Sequence, residues 1–547
     1  MSLRAPLVYC LPEDTARVAR AAFPKGNTYL RVYDALGPIF TNPQLAALFP
    51  KDGQPAVAPA QLALATIFQF AEGLSDRQAA DAVRGRIDWK YALCLELDDP
   101  GFAASVLSEF RDRLIANGAE AVLFETLLTA LKAEGLVKPR SRQRTDSTHV
   151  LAAIHVLNRL ELVGETLRHA LNTLAAVAPA WLESWVPADW FARYSRRFAE
   201  YRLPDALAAR TALAEQIGTD GRALLAMAFA SETAAWLAQV PAVETLRRVW
   251  VQQFHAEEPI RWRAAQDLPP SAVVISSPYD PEARYSKKRE TAWTGYKVHF
   301  TETCDDDLPN IVTDVDTTVA TTVDHAVTAV VQTRLAARGL TPREHLVDTS
   351  YVTADHLVTS QGEHECTLLG PIHEDYSWQA RAGAGFGAAH FAIDWAQERA
   401  ICPQGRASKI WKPTRDSAGH AIINIRFDYA DCRDCPARQR CVSSGRERAL
   451  AIRPRPLYEA LHDARQRQRT PEFRARYHAR AGIEGTFSQG VSIGALRRTC
   501  YRRLAKTRLL HLLIATALNV HRLAAWLAER PRAQTRVSAF ARLAPAA

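Results

Sequence analysis

The chain has 547 residues, enough for about three domains that each bury a core. Apolar residues make up 48% and charged residues 23%, the composition of an ordinary globular protein, which sets aside a fibrous or disordered chain. The net charge of +9 is unevenly placed: residues 446–510 carry 16 Lys/Arg against 5 Asp/Glu, the tail 511–547 carries 5 Arg against 1 Glu, and the first 445 residues sum to −6. A basic field confined to one segment points to a phosphate-rich partner rather than to general solubility.

Met1–Pro12 has no apolar core followed by a small-residue cleavage site, so no signal peptide is expected. The apolar stretch 222–240 is broken by Ser231 and Glu232, and 508–530 by His511, Asn519 and Arg522, so no membrane span is expected. Nine cysteines, four of them clustered, suit a reducing compartment. The expectation is a soluble, cytoplasmic protein with no membrane partner.

In chain order, residues 1–55 are loosely patterned and punctuated by seven prolines from Pro6 to Pro55. The spacing then predicts a helix over 60–72, opened by Pro59 and closed by Gly73. A second helix over 76–84 is capped by Ser75 with Gln78 placed for a capping box. Two helices joined by a tight Gly-Leu turn resemble a DNA-reading helix-turn-helix, with a plain helical hairpin as the alternative. Further helices over 103–116 and 119–134 complete an all-helical domain. Asp146 follows in a short strand-like stretch behind Arg140, Arg142 and Arg144; taken alone it reads as a turn or capping carboxylate. Residues 151–265 are Ala- and Leu-rich and predict a helical packing or docking insertion.

From 272 the period shortens to that of strands. Ala272–Ser276, 294–303 and 311–320 read as strands, the last two as an antiparallel hairpin about the turn-forming 305–310. A helix over 325–338, a strand ending at Asp348, a helix over 353–360 and a strand over 366–372 complete an α/β mixed sheet with covering helices. Asp348 stands at the carboxyl end of its strand, where such folds place their chemistry. Cys402, Cys432, Cys435 and Cys441 then appear in a loop-rich stretch whose C-x₂-C spacing suits a tetrahedral Zn²⁺ site, against the alternative of four free thiols. The basic helical segment after 455 carries Tyr477, Arg480 and Glu484 at i, i+3 and i+7, on one helix face.

Asp146, Asp348 and Glu484 are three distant carboxylates beside a cationic surface. Hard divalent ions take oxygen ligands, and two ions about 3.5–4 Å apart clamp a phosphodiester during in-line displacement. The motifs 73–93, 99–114, 144–150, 277–304, 347–352, 368–371, 480–490 and 496–509, with Tyr477-x₂-Arg480-x₃-Glu484, resemble bacterial insertion-sequence DDE transposases, specifically the eleven-eighty-two group. The resemblance runs over nearly the whole chain. It implies an RNase H-like core with Asp146, Asp348 and Glu484 as the catalytic, metal-binding triad, two Mg²⁺ or Mn²⁺ ions, and double-stranded DNA as partner: terminal inverted repeats and target DNA, held by a homodimer on paired ends.

Under the same resemblance Tyr477 and Arg480 map to DNA contacts near the cut. The family pattern often has Lys seven residues after the glutamate, where Val491 stands here; Arg497, Arg498, Arg502 and Lys506 are candidates for that phosphate contact. Trp293 and Lys297 are candidates for holding a displaced nucleotide, with core packing the alternative for Trp293. Asp280 and Asp316 are rival carboxylates, Asp314 and Asp324 read as hairpin or capping residues, and His149 and His299 as structural groups.

The expected organisation is 1–135 as a DNA-end-binding helical domain, 136–150 as the first core strand, 151–265 as a helical insertion and 266–375 as the core. A cysteine insertion at 376–450, basic helices at 451–530 and a flexible tail at 531–547 follow. The alternatives are a catalytically silent end-binding repressor and a host nuclease on the same core.

Overall fold

A computed structural model describes residues 10–53, 56–200, 202–375, 377–381, 385–443 and 445–532, with Phe540 and Leu543. The expected flexible tail at 531–547 lies outside the described residues except for Pro531, Arg532, Phe540 and Leu543.

The N-terminal prolines delimit helices rather than abolish them. Glu13–Ala22 starts directly after Pro12 and Thr28–Leu36 is capped by Asn27, whose side chain accepts from Tyr29 and Leu30 N–H. This corrects the loose reading of the first 55 residues: helices of nine or ten residues are too short to show their period in a proline-rich stretch. α1 (Pro59–Glu72) ends at Gly73 in the left-handed conformation, and α2 (Asp76–Gly85) carries the Ser75/Gln78 capping box, both as expected. Ile87–Leu93, Ser105–Ala116 and Val122–Ala133 follow.

The main sheet has six strands: β1 (Arg142–Leu151), β2 (Arg284–Lys288), β3 (Thr291–Thr303), β4 (Val312–Val319), β5 (Glu344–Val347) and β6 (Thr367–Leu369). Their order is β2-β3-β1-β5-β6, with β4 also on β3. β3 runs antiparallel to β1, β2 and β4, whereas β1, β5 and β6 are parallel. Parallel strands need helical crossovers, and α3 (His325–Ala337) and α4 (Ala354–His364) occur where such connections are required. β3 is buried along most of its length, as in a strand covered on both faces. Gly295 is required where β3 crosses the end of β1: its φ is +156° and a Cβ there would stand 2.1 Å from the Val150 carbonyl oxygen.

The 272–276 strand does not form. Ile275 packs in the helical insertion and its N–H donates to Gln252 at 3.0 Å, whereas Val273 is exposed. β-branched composition without a partner strand leaves that segment irregular.

One continuous core joins the N-terminal helices (Phe68, Trp89, Phe124), the sheet (Phe300, Val315) and the C-terminal helices (Phe487, Leu513). The expected boundary at 135 therefore separates no core. Its spine is α7 (Leu504–Leu527), which follows α5 (Pro471–Tyr477) and α6 (Ile483–Gly494). α7 is long and apolar enough to cross a membrane, with mean hydropathy 1.3, yet 78% of that window is buried inside the protein. Its polar residues close the edge of β4: Asn519 accepts from Val312 N–H at 2.8 Å and donates to the Val312 carbonyl at 2.9 Å. His511 pairs with Thr317 at 2.8 Å.

Two segments have cores of their own. Helices Arg159–Val177, Leu207–Ala228 and Pro241–Gln253 pack around Leu167, Ile217 and Leu246, between β1 and β2 in sequence. The cysteine segment forms two small sheets, Ala392–Asp394 with Arg399–Ile401 and Ile410–Arg415 with Ala421–Arg426 and Ala449–Ile452, around a separate small core.

Candidate active site at the end of the central strands

The register of β1 against β5 places the two aspartates together. Thr145 pairs with Val347 in the parallel ladder, so Asp146 and Asp348 occupy the next positions on adjacent strands, which lie about 4.8 Å apart. Asp146 is on the middle strand of the sheet and its carboxylate accepts the Ser147 N–H at 2.8 Å. Asp348 leaves β5 and caps the turn Thr349–Tyr351, accepting the Thr349 N–H at 2.8 Å.

Glu484 arrives from the other side, in the first turn of α6. Arg480 stands between: it forms an ion pair with Asp146, while its other nitrogen lies 3.7 Å from Glu484. Asp146 and Arg480 are 13% and 15% exposed, whereas Glu484 is 72% exposed, so the cluster has a buried floor and an open rim. The Nε of Arg480 is buried without a hydrogen-bond partner. Burial pushes the Asp146 carboxyl above its usual range against the pull of Arg480, and the neighbouring Asp348 adds to the rise. Arg480 is itself shifted upward: burial opposes its charge, but Asp146, Tyr477, Asp348 and Glu484 together outweigh that. Tyr477 stacks on Phe473 at 5.4 Å and its hydroxyl is pushed up to about 12 by burial, with Arg480 opposing and the two aspartates adding.

A buried ion network fixes α6 to the sheet, and none of it was singled out from sequence. Glu302 on β3 is fully buried and binds Arg144 of β1 at 2.6 Å, Arg522 of α7 at 2.6 Å and the Thr486 hydroxyl of α6 at 2.7 Å. Burial alone would raise its pKa, yet Arg522, Arg144 and Thr486 hold it below the usual carboxylate value. Arg144 also donates to the Ala479 carbonyl. A Cβ on Gly482 would fall 2.2 Å from the Arg144 guanidinium, so the backbone before Glu484 approaches β1 as closely as a glycine allows. A buried Glu between two Arg on separate elements had no local sequence signal.

Asp324 forms a second missed cluster beside Asp146. It lies 3.1 Å from Lys297 and 3.6 Å from Lys288, and accepts from Ser350 at 3.0 Å. Burial raises its pKa, but Lys297, His299 and Lys288 hold it below the usual carboxylate value. Lys297 is therefore held by Asp324 and by the Thr322 carbonyl at 2.7 Å. Trp293 is 5% exposed and its N–H donates to the Tyr296 carbonyl. Of the two readings open for it, stacking on a nucleotide and core packing, its burial favours core packing. His299 is buried between Tyr351 and Thr318, and His149 packs beside Trp293.

The rival carboxylates are structural. Asp314 is gripped by Arg334 and Arg338, each at 2.6 Å, Asp316 lies 3.5 Å from Arg334, and Asp280 is fully buried, accepting the Tyr296 hydroxyl at 2.6 Å. Of the expected phosphate contacts, Arg497 lies by β1, donating to Thr148 at 2.9 Å, and exposed Arg498 bridges to Leu151. Arg502 lies instead over the Tyr279 ring at 5.3 Å, and Lys506 pairs with Asp112 at 2.9 Å, because the turn before α7 leads them toward the insertion and the N-terminal helices.

The three carboxylates are hard oxygen donors, the type divalent cations prefer. Among the described residues no three Asp, Glu, His or Cys side chains stand in a ligating arrangement. At the acidic cluster the Arg480 guanidinium pairs with Asp146 and lies 3.7 Å from Glu484.

Two family models match the chain: a transposase DDE domain over residues 401–524, which includes Glu484 and most of α7, and a transposase domain over residues 17–113, which spans the N-terminal helices. No curated protein and no solved structure matches it. The chain thus resembles insertion-sequence DDE transposases, as its motifs imply.

Proposed function

We propose that this chain, with transposase family models at both ends, is a DDE transposase of the eleven-eighty-two group that cuts DNA at the ends of its element and joins the freed 3′-hydroxyl to target DNA. The observation that carries the reading is the juxtaposition of Asp146 and Asp348 by the β1–β5 register, with Arg480 linking them to Glu484. The strand order is compatible with an RNase H-like core. Asp146, Asp348 and Glu484 are the residues that would hold Mg²⁺ or Mn²⁺, which supplies activation of the attacking oxygen and stabilisation of the leaving one.

The chain's own groups do the rest. Glu302 and its arginines fix α6 against the sheet, which keeps Glu484 beside Arg480. Arg480, freed from Asp146, would turn its planar fork to a DNA phosphate, for which it is suited. Arg497 and Arg498, exposed beside the end of β1, track the backbone. The α1–α2 hairpin exposes Arg77, Gln78 and Arg84 for reading the terminal repeats, and two copies act on paired ends.

The test is cleavage of a duplex bearing the element's own ends by purified protein with Mg²⁺ or Mn²⁺. Wild type nicks at the end, and Glu484→Gln binds the same duplex without cutting. Normal cutting by Glu484→Gln removes the triad assignment. Binding without cutting by wild type identifies an end-binding repressor, and cutting with no preference for the ends a general nuclease.

A further inference from the structure

We propose that Cys402, Cys432, Cys435 and Cys441 bind one structural Zn²⁺ that holds the cysteine module together, independently of the reaction assigned above. All four line one cavity of about 470 Å³, together with Arg406, Arg438 and Arg448. None of the four is in a disulfide.

Each cysteine is delivered by a tight local feature. Cys402 directly follows the strand Arg399–Ile401 and opens a turn in which Gly405 has φ +79°. In that turn the Gly405 N–H donates to the Cys402 carbonyl at 2.8 Å and the Arg406 N–H approaches Cys402 Sγ at 3.4 Å. Cys432 lies in the short helix Tyr429–Arg433 and its Sγ receives the Arg448 N–H at 3.5 Å. Cys435 is in the turn that follows, and Cys441 ends the helix Arg438–Cys441. Backbone N–H groups thus point at the sulfurs of Cys402 and Cys432, and the thiolate is the form that ligates.

Two further observations point to a bound dication. The Arg448 guanidinium is partly buried beside these thiols and its Nε has no hydrogen-bond partner. Its other nitrogens donate to the Cys441 and Phe386 carbonyls at 3.2 Å, and among the described residues no carboxylate forms an ion pair with it, so its charge lacks an anionic partner. Four thiolates on Zn²⁺ carry a net charge of −2, half of which Arg448 offsets, and each thiol gives up its proton to solvent on ligation. The second observation is the size of the core. Among the described residues it comprises seven buried side chains, including Phe391, Ile425 and Phe427. Modules below about 70–80 residues rarely gain more than about 3–5 kcal/mol from such a core and commonly add a metal or disulfides. The sulfurs line the cavity without standing in a ligating arrangement, so binding requires the four cysteines to converge within it. Sulfur ligands in C-x₂-C spacing select zinc over the hard ions suited to the carboxylate site.

The experiment is metal analysis of full-length protein purified under reducing conditions without chelator. The expected result is about one zinc per chain, falling to background in Cys432→Ser/Cys435→Ser. Should that variant fail to fold, wild type dialysed against Co²⁺ reports directly, because a thiolate-bound tetrahedral site gives intense charge-transfer and visible absorption. Wild type without zinc whose cysteines react fully with a thiol reagent before any chelator is added overturns the proposal. So does iron with acid-labile sulfide, or recovery of the four cysteines as disulfides.

Discussion

The carboxylate site and the cysteine module are held by opposite means. At the site, α6 is fixed by a continuous apolar core and by a fully buried glutamate bound to two arginines. In the module, two small sheets enclose seven buried residues and a cavity lined by cysteines. The first arrangement joins the N-terminal helices, the sheet and the C-terminal helices, from Phe68 to Leu513. The second draws on about 65 consecutive residues. Precise placement of catalytic groups requires the first kind of support, whereas a local module can borrow rigidity from a ligand.

The largest expected effect breaks the first region. Glu302→Gln keeps the shape but leaves Arg144 and Arg522 without their counter-charge, and should cost about 3–5 kcal/mol in denaturant unfolding. It should also lower end cleavage through misplacement of α6, while zinc content stays unchanged. Loss of zinc in this variant would show that the two regions are not independently held.

Acid provides a smaller, graded perturbation of the same region. His299 and His345 are held neutral by burial, with pKa values lowered to about 4, and that of His511 is lowered to about 3. The unfolded chain takes up these protons first, at about pH 6.5. Stability is therefore complete above about pH 6.5 and is lost toward pH 4, by up to about 1.4 kcal/mol per pH unit for each histidine. All three lie on the sheet or on α7, so thermal melts at pH 5 and 7 should shift the main transition. An unchanged main transition would mean that these rings are not buried neutral.

The sequence made the ends of elements legible wherever one residue dictates backbone geometry: Pro59, Gly73 and Ser75 with Gln78 all act as expected. It also marked Asp146 and Asp348 as strand residues, one on β1 and one just past β5. Their adjacency was implied by the family resemblance and not by spacing, because register follows from the pairing of β5 with β1 and not from any local pattern. Nor did spacing show that Arg480 would couple Asp146 to Glu484, or that Trp293 would turn inward. Basic residues close in sequence were read as one DNA track, but the turn before α7 separates Arg497 and Arg498 from Arg502 and Lys506.

That separation supplies the smallest expected effect. Lys506→Ala removes an exposed pair with Asp112, which is worth less than about 1 kcal/mol, and should leave the salt dependence of DNA binding unchanged. A drop of about one in the slope of log K against log salt would place Lys506 on the phosphate track after all.

The most direct test of the account is Mn²⁺ affinity in the complex with end DNA, followed by electron paramagnetic resonance. Asp146→Asn, Asp348→Asn and Glu484→Gln should each weaken Mn²⁺ binding by at least about tenfold, with the protein still folded and on the DNA. Equal Mn²⁺ affinity in Asp348→Asn and wild type would contradict the claim that these three acids share one cation site.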